Sequence, residues 1–115
     1  MNTVAPSRGQ IWLADLNPTR GHEQSGMRPC LVISVDYFNN SPAGLVIVLP
    51  VTTKAKGVRS HVAIAPLEAG LKEPSFVKCE DVRSISTERL VSPRGTVTRE
   101  TMTAVEDRLR ILLGL

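Results

Sequence analysis

Eight glycines and eight prolines cut this 115-residue chain into short segments, and that punctuation constrains its fold more than any other feature. The segments between them read mostly as strands. Gln10–Leu16 begins after Gly9 and stops at the Asn17-Pro18 turn. Cys30–Val35 and Leu45–Val51 are continuous apolar runs rich in β-branched residues, the pattern of strands covered on both faces. His61–Ala65 puts Val62 and Ile64 on one face. Ser75–Asp81 alternates, with Val77 and Cys79 on one side and Phe76, Lys78 and Glu80 on the other. Five short strands at this spacing predict a small antiparallel barrel or sheet.

The period changes near the C-terminus. Met102, Val105, Leu109 and Leu112 fall at helical spacing, with Glu106, Asp107, Arg108 and Arg110 largely outside that stripe. Thr98 suits the N-cap, Glu100 favours the first turn through the helix dipole, and Val97 and Met102 stand where a hydrophobic staple would. Gly114 fits the position just past the helix end. The expected class is therefore mainly β or α+β, one domain over residues 1–115, with a C-terminal helix on a small barrel.

Composition removes several classes. Hydrophobic residues are 42% and charged residues 22%, enough apolar surface for a folded core. The longest apolar runs, around Leu45–Leu49 and Ile111–Leu113, fall well short of the ~20 residues of a membrane helix. The opening residues show no apolar core of a secretory signal, so a cytoplasmic location is expected. Cys30 and Cys79 are too few for a disulfide framework or a zinc site, and both are expected to be buried on strands. The net charge is +3, and the excess lies in residues 1–60, where Arg8, Arg20, Arg28, Lys54, Lys56 and Arg59 face only Asp15, Glu23 and Asp36. That bias suits an anionic partner. The aromatics are Trp12, Tyr37, Phe38 and Phe76, too few for a base-stacking platform.

Two loops carry chemistry. The segment from Asn17 to Pro29 is long for a strand connection and holds Arg20, His22, Glu23 and Arg28. The segment Thr52-Thr53-Lys54-Ala55-Lys56-Gly57 sets two hydroxyls beside two lysines. No Walker loop, HExxH or GxSxG is present. Arg28 offers a planar fork of donors for phosphate oxygens, and the Thr52 hydroxyl could donate to the same oxygens. His22 or Glu23 could move a proton near neutral pH. Taken alone, these residues are more simply explained as loop supports than as catalysts: Arg28 on backbone carbonyls, Thr52 as a turn cap, His22 as a loop histidine, Glu23 as a solvated charge or a partner for Arg28, Lys54 and Lys56 as a solvated loop.

The string Arg8-Gly9-Gln10-Ile11-Trp12, followed by Asn17-Pro18-Thr19-Arg20-Gly21-His22-Glu23-Gln24 and Arg28-Pro29, resembles the opening of MazF/PemK/Kid-type toxins. Pro50-Val51-Thr52-Thr53-Lys54-Ala55-Lys56-Gly57 is similar to their P-x-T/S-T-x-x-x-G segment, and Val77–Ile85 to a later strand. The blocks keep the family's order from residue 8 to about 112.

The resemblance implies an SH3-like barrel with a C-terminal helix, a homodimer, and no cofactor or metal. It implies a toxin that cuts single-stranded RNA at short motifs, leaving 2′,3′-cyclic phosphate and 5′-hydroxyl ends. It also implies an antitoxin whose acidic, flexible tail covers the RNA groove. Arg28 falls on the family's catalytic arginine, Thr52 on its catalytic Thr/Ser, and Glu23 on its E-Q glutamate. His22 matches the histidine some members use with an R-x-D pair, which here reads Lys78-Cys79-Glu80. Which acid–base pair operates, among His22, Glu23 and Glu80, stays open. Gln24, Thr53, Lys54, Lys56, Lys78 and Glu80 are the implied RNA contacts. A gyrase poison of the related CcdB type shares the barrel and dimer, and a non-catalytic RNA-binding barrel is the third reading. The loop motifs favour the nuclease.

Overall fold

The computed structural model describes residues 5–17 and 26–115. Seven strands and two helices follow one another: β1 (Gln10–Asp15), β2 (Met27–Val32), α1 (Asp36–Asn39), β3 (Leu45–Thr52), β4 (His61–Ile64), β5 (Ser75–Lys78), β6 (Arg83–Ser86), β7 (Leu90–Thr96) and α2 (Arg99–Leu113). The strands form one antiparallel sheet in the order β4-β5-β3-β2-β1-β7, with β6 also paired to β3. The architecture is thus the α+β, barrel-like class expected from the sequence, and its helix lies where the period changed.

Two of the seven strands escape the expected five. β7 contains Ser92, Pro93 and Gly95, residues that read as a break. It pairs with β1 only by slipping register at Ile11/Trp12 and Leu13/Ala14, and those irregularities accommodate the proline. β6 is four residues long and exposes Ser84, so its alternation is weak. β2 also begins earlier and ends earlier than Cys30–Val35. Val35 instead caps α1, and Ser34 turns inward to donate to Asn39 Oδ1 while accepting from Ile47 N at 3.0 Å.

β3 organises the sheet. Its first half pairs with β6, from Leu45 opposite Ser86 to Val48 opposite Arg83. Its end pairs with β5, Val51 opposite Val77 and Thr52 opposite Phe76. While β3 steps from Val51 to Val48, the opposing chain steps from Val77 to Arg83, so the surplus residues bulge out as a corner, Cys79–Val82. Pro50, which has no N–H to give a ladder, sits where β3 passes from one partner to the other.

Both faces of β1, β2 and β3 are covered, which explains their unbroken apolar runs. One face contributes Ile11, Leu31, Leu49 and Val51 to a core with Val62, Ile64, Val77, Cys79 and Val105 of α2. The other contributes Trp12, Ala14, Leu16, Cys30, Val32, Val46 and Val48, closed by Ile85 and Leu90. Helix α2 starts as expected: Thr98 Oγ1 accepts from Thr101 N at 3.2 Å. Glu68 Oε2 accepts from Thr98 N at 3.0 Å and from Thr101 Oγ1 at 2.6 Å, tying the helix start to the turn at Glu68–Gly70. Gly114 ends the helix at φ 70°, where Leu115 N donates to Arg110 O. The final apolar residues stay outside: Ile111 is 70% and Leu113 56% exposed.

Cys30 and Cys79 are both buried and unpaired; Cys30 lies on β2, whereas Cys79 lies just past the end of β5 at the corner. Burial pushes the Cys30 thiol up to about 12 and the Cys79 thiol up to about 11. The folded chain should therefore resist alkylation of both thiols at pH 8, and labelling should appear only as denaturant unfolds it. The sign of the pH effect follows. The unfolded chain ionises its thiols near their ordinary value of 9.0 and the folded chain does not, so stability should decline as pH rises above that value. A second expectation concerns Gly95. A Cβ there would lie 2.7 Å from the backbone of Ala69, so Gly95→Ala should cost about 1–3 kcal/mol in urea unfolding. An unchanged midpoint would mean that β7 does not press on that turn.

Candidate functional site

The β2–β3 register builds the site. Cys30 stands opposite Pro50 and Leu31 opposite Leu49. Carried one side-chain repeat further along both strands, the same register sets Arg28 opposite Thr52, on the face that Cys30 and Pro50 share. Both residues line a cleft of about 190 Å³ with Pro29, Val51, Thr53, Leu71, Lys72, Glu73 and Ser75. Residues far apart in sequence thus meet because three strands converge on the end of β3. Val51, Leu71 and Ser75 of this lining are buried, whereas Arg28, Thr53, Lys72 and Glu73 are exposed.

Arg28 is exposed, with its backbone fixed by pairing of β2 to β1, where it stands opposite Ala14. Thr52 is half-buried, and its Oγ1 accepts from Lys54 N at 3.1 Å. That bond is the turn cap weighed above, and it coexists with a second role. A hydroxyl that accepts from a backbone N–H still has its own proton to donate. The cap therefore fixes the hydroxyl of a residue that lines the same cleft as Arg28. Lys54 and Lys56 follow in an exposed segment without regular structure, adding positive charge next to the cleft. His22, Glu23 and Gln24 lie outside the described residues.

Lys78 and Glu80 are not brought into this cleft. Lys78 is on β5 opposite His61, and Glu80 follows at the β5–β6 corner. The Lys78 ammonium lies 3.9 Å from Asp81, whose carboxylate also receives a two-pronged contact from Arg83 Nη2 at 2.9 and 3.0 Å. Glu80 Oε1 accepts from Ser60 Oγ at 2.7 Å, and Glu80 Oε2 lies 2.9 Å from His61 Nε2. Burial raises the Glu80 carboxyl, but hydrogen bonds from Ser60, from its own backbone N–H and from His61, with the His61 charge, outweigh it and hold the group below its usual range. Glu80 is therefore an anion at neutral pH.

Two participants were missed in the sequence. Lys72 reaches the cleft from the loop before β5, and nothing in its local motif marks it. His61 reads in the sequence as the first residue of a strand, yet its side chain is only 5% exposed and grips Glu80. Among the described residues no group of His, Cys, Asp and Glu is arranged to hold a metal ion, and no helix is long and apolar enough to cross a membrane.

Known proteins match this chain throughout its length. The sequence profile of the PemK-like, MazF-like toxins of type II toxin–antitoxin systems matches residues 7–113. Endoribonuclease MazF9 of Mycobacterium tuberculosis is 35% identical over 113 residues, spanning 94% of this chain and 96% of that protein. Endoribonuclease EndoA of Bacillus subtilis is 34% identical over 109 residues, 94% of each. The crystal structure of MazF from Deinococcus radiodurans superposes with a TM-score of 0.87 at 29% identity, covering 98% of this chain and 100% of that one. The MazF chain of a MazE–MazF structure from the same organism superposes at 0.81 with 30% identity, over 98% and 99% of the two chains. With the family profile matched over residues 7–113 and a relative 35% identical over 94% of its length, the chain belongs to the PemK-like, MazF-like toxins of type II toxin–antitoxin systems.

Proposed function

We propose that this endoribonuclease of the toxin family cuts single-stranded RNA in the Arg28–Thr52 cleft by attack of the RNA's own 2′-hydroxyl. The carrying observation is that Arg28 and Thr52 line one cleft, at the strand ends just beyond the Cys30–Pro50 pair of β2 and β3. In this reading the 2′-oxygen bonds to the adjacent phosphorus and the bond to the 5′-oxygen breaks. A base takes the 2′-hydroxyl proton, and an acid protonates the departing oxygen. The products are a 2′,3′-cyclic phosphate and a 5′-hydroxyl.

Arg28 grips the non-bridging oxygens as their charge grows, and the Thr52 hydroxyl donates to the same oxygens. The two proton transfers fall to Glu23 and His22. Glu80, the other candidate, has its carboxylate held by Ser60 and His61 at the corner, outside the cleft. Gln24, Thr53, Lys54, Lys56 and Lys78 hold the flanking strand, and Lys72 joins them. No metal or cofactor takes part in this scheme.

The protein partner is an antitoxin, as in the solved complex of a mycobacterial endoribonuclease with its cognate antitoxin. Its acidic tail would compete with RNA for the same positive surface. The exposed apolar end of α2 supports a homodimer with the RNA groove along its interface, acting in the cytoplasm. The CcdB-type alternative is set aside by the endoribonuclease relatives and the PemK-like, MazF-like match.

Arg28→Ala should cost about 3–4 kcal/mol in cleavage, a loss of hundreds-fold, while RNA binding weakens far less. Single-turnover rates and filter binding on one oligonucleotide measure both; equal losses would make Arg28 a general binding residue. Cleavage should also continue in excess EDTA and stop when the scissile nucleotide carries 2′-hydrogen. An unchanged rate on the 2′-deoxy substrate would overturn the mechanism.

A further inference from the structure

We infer that Glu80, clamped by Ser60 and His61, reads an amino group on the edge of a base flanking the scissile nucleotide, with Ser60 and His61 as its positioning residues. The inference rests on the RNA-cleaving reading above and assigns that activity a specificity element.

An anion beside a groove for RNA needs an explanation, because it repels the phosphates that the nearby lysines attract. Besides holding His61, a carboxylate at such a place has lone pairs left to accept from N–H groups, and the base edges present them. The exocyclic amino group of cytosine is the usual partner of a Glu or Asp. Glu80 is placed for this. Thr52 stands opposite Phe76, and Lys78, two residues further along β5, shares the face of Phe76. His61 stands directly opposite Lys78, and it is His61 that meets Glu80. Lys78 and His61 therefore share the side of the sheet that carries Phe76 and Thr52, and the carboxylate, held by His61 and by Ser60 just before β4, lies at its end, displaced along it. At roughly 3.3 Å per residue, the offset from Phe76 to the corner is on the order of 10 Å, beyond the scissile phosphate and within reach of a neighbouring nucleotide.

The clamp also accounts for selectivity. A free glutamate turns about three bonds and meets many donors. Here Ser60 Oγ donates to one oxygen at 2.7 Å and His61 Nε2 to the other at 2.9 Å, with the proton on Nε2 because the carboxylate can only accept. The His61 side chain is 5% exposed, while that of Glu80 is 37% exposed. One end of the arrangement is thus fixed in the protein, and the other offers its remaining lone pairs to solvent. The lost freedom is removed before RNA arrives, which is how a single contact discriminates.

The test uses the purified full-length chain and an RNA library randomised around the cut, with the 5′-hydroxyl ends sequenced. Wild type should show a preference for a base carrying an amino group at one flanking position. Glu80→Gln should reduce that preference by about tenfold, as should His61→Leu, whereas His61→Gln, which keeps an N–H donor, should restore part of it. Ser60→Ala removes only a hydroxyl and should relax the same position and no other, which guards against a His61 variant that fails to fold. Thermal midpoints and circular dichroism establish folding. Folded variants that keep the wild-type motif at every position would overturn the inference while leaving the nuclease intact. A wild-type chain that cuts no RNA would instead overturn the functional reading itself.

Discussion

The pairing of β2 with β3 is the constraint on which the rest depends. Its register decides which residues face the two cores, because a slip of one residue would exchange Leu31 and Leu49 for Cys30 and Pro50. Here both faces are apolar, so polarity alone does not protect the register. Shape does. Pro50 fits only where β3 changes partners, and the two cores differ in what closes them: α2 and the β4–β5 hairpin on one side, Ile85 and Leu90 on the other. The same register then sets Arg28 opposite Thr52. Under the proposed function, the ladder that sorts the two cores also brings the cleft residues together.

Helix α2 was legible from residues 97 to 114 because each signal is local: a cap, a first-turn acid, a stripe and a terminal glycine. β3 was legible because Leu45–Val51 has no competing pattern. β7 was not, since its Pro93 and Gly95 are explained only by neighbours distant in sequence. Gly95 lies against Ala69, and Pro93 is accommodated by the irregular ladder to β1. Propensity is a property of a segment, whereas these two residues answer to tertiary contact.

The site divides in the same way. Arg28 and Thr52 could be named because motif resemblance marks them. Their meeting could not be derived from the residues, which lie on different strands and are joined only by the ladder. Lys72 and His61 carry no local mark at all. His61 looks like the start of an alternating strand, and its role comes from a turn residue, Glu80, that the corner folds back onto it. Glu80 itself was named as an RNA contact beside Lys78. The structure separates that pair from the cleft by using the corner to hold one of them on Ser60 and His61.

The corner at Cys79–Val82 has an evolutionary meaning. β3 is secured by β5 at one end and β6 at the other, so the residues between those pairings hang from two fixed points. Cys79 is buried in the core and Asp81 is held by Arg83, so the corner residues that can change without moving the strand are the exposed Glu80 and Val82. A lineage can therefore rewrite what is presented at the corner while the opposed arginine and threonine stay in register. Under the proposed function, the fold thereby keeps the residues that cut apart from those that address the cut, so one set can change while the other is held.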